Sequence, residues 1–314
     1  MSKKIILDCD PGHDDAVAIM LAAASDEIDI LGITCVAGNS TLENTKQNSL
    51  KICTLIGRSD IRIYSGSSKP IKFDLVTAAH VHGKSGLDFE GKEIYIKEDY
   101  KISEINAVDF IIQTCHSEKE PIYLCPTGPL TNIALALKKD PSISSKIKEI
   151  VFMGGAAMCL GNITPTSEFN IYVDPHAANI VLKSNIPITM MGLDVTHKVN
   201  VNDKIIEDIR NNNNQSSIFF SDLMKFYSKF HRKLYETDQS PLHDPCVIAY
   251  LIDPSIFRGK KVAVEVEENS KLTRGETVVD WLGVTKLKPN CNVITEADDK
   301  RFFSLLKKEL KKLN

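Results

Sequence analysis

The sequence predicts an α/β protein with a mainly parallel central sheet, helices on both of its faces, and a helical cap supplied by the C-terminal third. Two observations lead there. Short β-rich apolar runs alternate with amphipathic helical stretches over most of the chain, the pattern of right-handed βαβ units. From about residue 200 the alternation gives way to a cluster of helical runs. KKIILDCD leads as a strand into the helix DDAVAIMLAAAS, and IDILGITCVAG leads into TLENTKQNSLKICTLIG. IRIYSG is followed, after a loop, by the helix NAVDFIIQTCHS, then PIYLCPTGP by LTNIALALKK, KEIVFMGGA by DPHAANIVLKS, and PITMMGLDV closes the series. NDKIIEDIR, SIFFSDLMKFYSKFHRKLYE and HDPCVIAYLI form the cap, before two late strands, KKVAVEVEE and ETVVDW, and a closing helix DKRFFSLLKKELKKL. NNNNQ at 211–215 reads as an exposed loop, and no Ser/Gly-rich linker or repeat interrupts the chain, so one domain over 1–314 is expected.

Composition excludes several classes of function. The 314 residues can bury a substantial core, and 38 basic against 41 acidic residues give a net charge of -3, no footprint for nucleic acid. No apolar run reaches the roughly 18 residues a membrane span needs. The first residues run from Lys3 and Lys4 straight into acids, leaving no room for the apolar core of a signal peptide, so a cytoplasmic protein is expected. Eight scattered cysteines, no two spaced as CxxC, read as buried reduced thiols and not as a zinc or disulfide framework.

The chemistry concentrates in DCDPGHDD, which packs Asp8, Asp10, Asp14 and Asp15 into eight residues at the end of the first strand. Asp8 and Asp10, two apart, are expected on one face; Pro11-Gly12 turns the chain, and Asp14-Asp15 begin a helix. A helix start explains one acid as a cap, and Asp14 suits that role, but it does not explain four mutually repulsive carboxylates. A hard cation, Ca²⁺ or Mg²⁺, does. A Mg²⁺ phosphohydrolase also opens on a strand ending in paired aspartates, but that pattern wants Thr or Val where this chain has Gly12.

Further polar stations fall at later strand ends, where open α/β sheets place their ligands. Asn39 follows GITCVAG, Thr127 follows YLCP, Asn162, Glu168 and Asn170 follow IVFMGGA, and His243 and Asp244 open a late helix. Singly, each reads as well as a turn former, a loop charge or a cap. Their shared edge of the sheet favours function.

DCDPGHDD, the AGN ending at Asn39, PTGPLTN, GNITPTSEFNIYVDP and PLHDP, in this order, resemble the inosine-uridine preferring nucleoside hydrolases, as does TRGETVVDW. The resemblance implies a Rossmann-like nucleoside hydrolase fold and Ca²⁺-dependent hydrolysis of the N-glycosidic bond of ribonucleosides of the inosine, uridine or cytidine type, to ribose and free base, in nucleoside salvage. It implies that Asp10, Asp15, Asp244 and the carbonyl of Thr127 hold the ion, with Asp10 also taking a proton from the attacking water. Asp14, Asn39, Asn162, Glu168 and Asn170 would grip the ribose, Met153 would line the sugar side, and Asp8 would support the cluster from behind. It further implies His243 as the acid for the leaving base, in place of the tryptophan of purine-restricted relatives, and a homotetramer or homodimer. On the base side His82, in the loop HVHGKSGLD, is the leading candidate, ahead of His80, Tyr227, His231 and Tyr235. Trp281 reads as a core residue. A catalytically silent riboside-binding protein is the remaining alternative, against which the presence of every matched acid argues.

Overall fold

The first strand shows why the sheet forms. In KKIILDC, Ile5 and Leu7 pack into one apolar cluster and Ile6 into another, so the side chains of one strand seed a core on each face. The computed structural model describes residues 2–91, 93–235 and 239–313, with 230–235 described by backbone alone. Its elements run β1 (Lys3–Cys9), α1 (His13–Ala24), β2 (Ile28–Cys35), α2 (Leu42–Leu55), β3 (Ile63–Ser65), α3 (Ala79–His82), β4 (Ile102–Ser103), α4 (Ala107–Ser117), β5 (Ile122–Pro126) and α5 (Thr131–Lys139). They continue with β6 (Ile147–Met153), α6 (Phe169–Val173), α7 (Pro175–Leu182), β7 (Ile188–Met191), α8 (Leu193–Thr196), β8 (Asn200–Val201), α9 (Asp203–Arg210), α10 (Gln215–Tyr235) and β9 (Ser240–Pro241). The last are α11 (Pro245–Ile252), β10 (Phe257–Val266), β11 (Thr277–Asp280), β12 (Cys291–Ala297) and α12 (Asp299–Leu310).

Ten strands form one sheet in the order β11-β10-β12-β7-β6-β5-β1-β2-β3-β4. All neighbours from β12 to β4 pair parallel, and β10 runs antiparallel to both β12 and β11. The expected mainly parallel sheet with helices on both faces is therefore present. Strand order reverses between β1 and β5: β2, β3 and β4 continue to one side of β1, whereas β6 and β7 continue beyond β5 on the other. The crevice at such a reversal is where doubly wound sheets hold ligands. Helices α1, α10 and α11 share one core with Ile5 and Leu7, while α4, α5 and α7 pack with Ile6 on the opposite face. No helix among the described residues is long and apolar enough to cross a membrane.

The structure differs from the expectations at β12, at two loops and at the cap of α1. A third late strand, β12, was missed: CNVITEA is broken by polar residues, and in the sheet Asn292 donates to Thr189 (3.3 Å), whose hydroxyl donates to Glu149 (2.6 Å). Polar groups paired inside the sheet hide a strand from a search for apolar runs. HVHGKSGLD begins with the short helix α3, and the SEFN stretch enters α6, so neither is wholly loop. Asp14 does not cap α1. The Gly12 amide donates to the Asp15 carboxylate (2.9 Å), which leaves Asp14 available to the crevice. All eight cysteines are free, and all but the half-buried Cys159 are buried. Trp281 is half-buried against the second core.

Candidate active site

At the carboxyl ends of β1, β2, β5 and β6 the chain encloses a cavity of about 510 Å³. Its floor is acidic. Oxygen atoms of Asp14, Asp15 and Asp244 all lie within 4.8 Å of one another, and the three side chains are buried, an arrangement that can hold a metal ion. Asp15 is fixed on both oxygens: Oδ1 accepts from the Thr127 hydroxyl (2.7 Å), and Oδ2 accepts from the Gly12 amide and from Asn39 Nδ2 (3.2 Å). Asp244 stands at the start of α11 but makes no capping bond, so its carboxylate remains with the other acids. Asp10 lies beside this group and is fully buried; the Asn39 amide donates to its Oδ2 at 2.6 Å, while Oδ1 has no protein partner. Asp8 sits behind, its Oδ1 accepting from Thr34 (2.5 Å) and from Asn132 (2.7 Å).

Burial dominates the electrostatics. It pushes the carboxyl groups of Asp8 and Asp14 up to about 7, with Asp15 adding repulsion at Asp14. Asp10 is driven well above the usual carboxylate range by burial and then by Asp15, and Asp244 by burial and then by Asp14 and Asp15. Such a cluster requires either protons or a cation to balance it.

One wall of the cavity presents polar groups. Glu168 caps α6, its Oε1 accepting from the Asn170 amide (3.0 Å) and its Oε2 from Gly155 (2.9 Å) and Ile171 (3.3 Å); burial raises its carboxyl to about 7. Asn170 Nδ2 donates to the carbonyls of Thr127 (2.7 Å) and Met153 (3.2 Å). Asn162 Oδ1 accepts from the Phe169 amide (2.9 Å). Asn39 Nδ2 also donates to the Asp10 carbonyl (3.3 Å).

Imidazoles and a phenol also line the cavity or lie just behind its lining. His13, fully buried at the start of α1, lies 2.6 Å from the Asp88 carbonyl through Nε2. A carbonyl only accepts, so Nε2 carries the hydrogen. Its Nδ1 lies 3.0 Å from Nδ1 of His82, and burial lowers the ring's pKa to about 4. The two imidazoles stack, with Tyr227 alongside. His243 Nδ1 meets the Thr196 hydroxyl at 2.7 Å, and the ring of His197 lies 5.8 Å from it.

Asp14, Asn39, His82, Thr127, Met153, Asn162, Glu168, Asn170, His243 and Asp244 all line this one cavity; Asp10 and Asp15 do not line it and are fully buried beside its acids. Asp14 closes the three-carboxylate group together with Asp15 and Asp244, while Asp10 stands outside it. His80 and Tyr227 also line the cavity, whereas the side chains of His231 and Tyr235 lie outside the described ones. His13, Thr34, Asn132, Thr196 and His197 join the site without having been legible in the sequence. His13 and Asn132 belong to DCDPGHDD and PTGPLTN, but they work by touching other site residues, and such contacts are not visible in a linear motif.

Residues 5–304 match the family described as inosine-uridine preferring nucleoside hydrolase. The pyrimidine-specific ribonucleoside hydrolase RihA of Escherichia coli O7:K1 is 45% identical over 312 residues, covering 99% of both chains. Among solved structures, a purine-preferring ribonucleoside hydrolase from Gardnerella vaginalis superposes with a TM-score of 0.91 at 34% identity over 98% of each chain. A plant nucleoside hydrolase, PpNRh1, does so with a TM-score of 0.91 at 32% identity over 99% of each chain. The chain belongs to the inosine-uridine preferring nucleoside hydrolases and is an enzyme that hydrolyses nucleosides at the N-glycosidic bond.

Proposed function

We propose that the protein is a Ca²⁺-dependent hydrolase of inosine-, uridine- and cytidine-type ribonucleosides, releasing ribose and free base, with the whole chain acting as one domain. The observation that carries this reading is the juxtaposition, in one cavity, of a buried acid cluster, a wall of amides and a carboxylate, and several imidazoles. The donor set is all oxygen, carboxylates with the Thr127 carbonyl nearby, and Asp10 Oδ1 is buried without a partner; both suit a hard cation and not a soft one. Asp10, Asp15, Asp244 and Thr127 are the proposed ligands, with Asp14 close enough to share the load. Bound there, Ca²⁺ would supply Lewis acidity that makes a water easier to deprotonate.

The remaining steps belong to the protein's own groups. Asp10, held by the Asn39 amide on one oxygen with the other free of protein partners, accepts the proton of the attacking water. Asn162, whose oxygen is engaged by Phe169, has its NH₂ to donate to a ribose hydroxyl; Asn170, whose NH₂ is engaged by Thr127 and Met153, has its oxygen to accept from one. In their ionised forms Asp14 and Glu168 favour the oxocarbenium-like transition state. His243 protonates the departing base, and Ile163, Phe169 and Met153 give the cavity apolar surface that excludes water.

The 45% identity to a pyrimidine-specific relative and His243 on the leaving-group side both support uridine and cytidine as good substrates. Nucleoside salvage in the cytoplasm, by a homotetramer or homodimer, is the proposed setting. Incubation with inosine, uridine and a phosphate ester, assaying free ribose and free phosphate, tests the proposal. Ribose release from the nucleosides alone is expected; phosphate release, or binding without turnover, would refute it.

A further inference from the structure

TRGETVVDW places no side chain in the cavity, yet its first turn touches each loop of the polar wall. Thr277, buried at the start of the edge strand β11, donates from Oγ1 to the Ala156 carbonyl (2.6 Å) and accepts from the Ala156 amide (2.9 Å), across 121 residues of sequence. Ala156 directly follows Gly155, whose amide donates to Glu168. The Arg274 carbonyl accepts from Ser167 Oγ (2.7 Å), and Ser167 in turn accepts, through its carbonyl, from the Asn162 amide (3.1 Å). The Arg274 guanidinium lies 4.0 Å from the ring centre of Tyr172 on α6 and 4.2 Å from that of Phe73, in the segment that leads to α3. Gly275, at φ +82°, approaches so closely that a Cβ there would lie 2.6 Å from Tyr172 Cα.

We propose that the 274–277 turn is the positioning element of the sugar wall, and that Thr277 is a positioning residue for Glu168, Asn162 and Asn170. The proposal rests on the reading of that wall as the ribose site. The wall is assembled from loops, and loops hold hydroxyl-reading groups to within a fraction of an ångström only if something rigid braces them. A paired edge strand is such a brace, and the two-way bond of Thr277 fixes the 154–157 loop in both translation and rotation.

The test compares Thr277→Val, which removes the hydroxyl at nearly constant volume, with Thr277→Ser, which keeps it. For each variant kcat/KM is measured on uridine and on 2′-deoxyuridine, together with bound Ca²⁺ and Tm. Thr277→Val should lose about tenfold to a hundredfold on uridine, and the uridine to deoxyuridine ratio should shrink with it while Ca²⁺ content is retained. Thr277→Ser should keep the wild-type ratio. Should Thr277→Val fail to fold, Arg274→Met, which keeps the apolar stem and loses the cation, should show the same narrowing of the ratio. An unchanged ratio in whichever of these variants folds, or equal losses in the Val and Ser variants, overturns the clamp alone. Wild-type protein that releases no ribose overturns the functional reading beneath it.

Discussion

Gly128→Ala tests the placement of Asp10 without removing its carboxylate. Gly128 follows Thr127 in PTGPLTN and is not among the glycines with positive φ, so alanine brings no backbone strain there. It does bring a clash. A Cβ at 128 would lie 2.5 Å from Asp10 Oδ1, about 0.9 Å short of the 3.4 Å at which ordinary van der Waals contact begins. Retreat is blocked on the far side, where the Asn39 amide holds Oδ2 at 2.6 Å and Gly38 packs so tightly that its own Cβ would lie 2.1 Å from that oxygen. Val36 Cγ1, 3.0 Å from the added methyl, closes a third direction. A misplacement of this size at a reacting group costs roughly a hundredfold in rate, and overpacking costs about 1–3 kcal/mol of stability. Ribose release from uridine at saturating Ca²⁺ gives kcat, while circular dichroism and Tm report the fold. A folded Gly128→Ala protein with kcat within about threefold of wild type would show that the position of the Asp10 carboxylate does not govern the reaction.

Chelation should abolish activity and lower Tm together, and Ca²⁺ should restore both; full turnover in protein shown to be metal-free would refute the mechanism. The cation-free protein should also lose stability as pH rises. Asp8 and Asp14 titrate near 7 when folded against 3.8 ordinarily, so between those values the folded chain holds protons that the unfolded chain has released. Tm in chelator should therefore be lower at pH 8 than at pH 5, with the benefit of added Ca²⁺ growing over the same interval; a chelated Tm that rises instead would contradict the buried-acid reading. Asp10→Asn should cost several powers of ten in turnover, whereas Asn39→Ala should cost roughly 2–4 kcal/mol of transition-state stabilisation and retain the ion; calorimetry showing the ion lost from Asn39→Ala would mean that the bond from Asn39 to Asp15 supports the metal and not the sugar. His243→Ala should slow inosine hydrolysis by roughly a hundredfold or more and leave nitrophenyl riboside hydrolysis nearly unchanged, because nitrophenolate departs without a proton. Equal losses on both substrates would assign His243 to positioning.

The α/β class, most of the parallel strands and the identity of the acids are legible in the chain alone, because these rest on local periodicity and on residue types whose charges repel when crowded together. DCDPGHDD by its residue types alone points to a site that could hold a cation. For the acids, the packing decides only how they are placed: from the chain alone Asp14 reads as the better cap for α1, yet the Asp15 carboxylate accepts from the Gly12 amide and Asp14 lies with Asp15 and Asp244. It also decided the partners. Asn132 reaching Asp8, His13 against His82, and Thr277 against Ala156 are contacts between residues 124, 69 and 121 positions apart. β12 was hidden for a related reason, since its Asn292 is satisfied by Thr189 on a strand about a hundred residues earlier. Periodicity reports which face a residue occupies within its own element. Which donor meets which acceptor is fixed only when the strand order brings β1 beside β5 and closes the loops at their ends over one crevice.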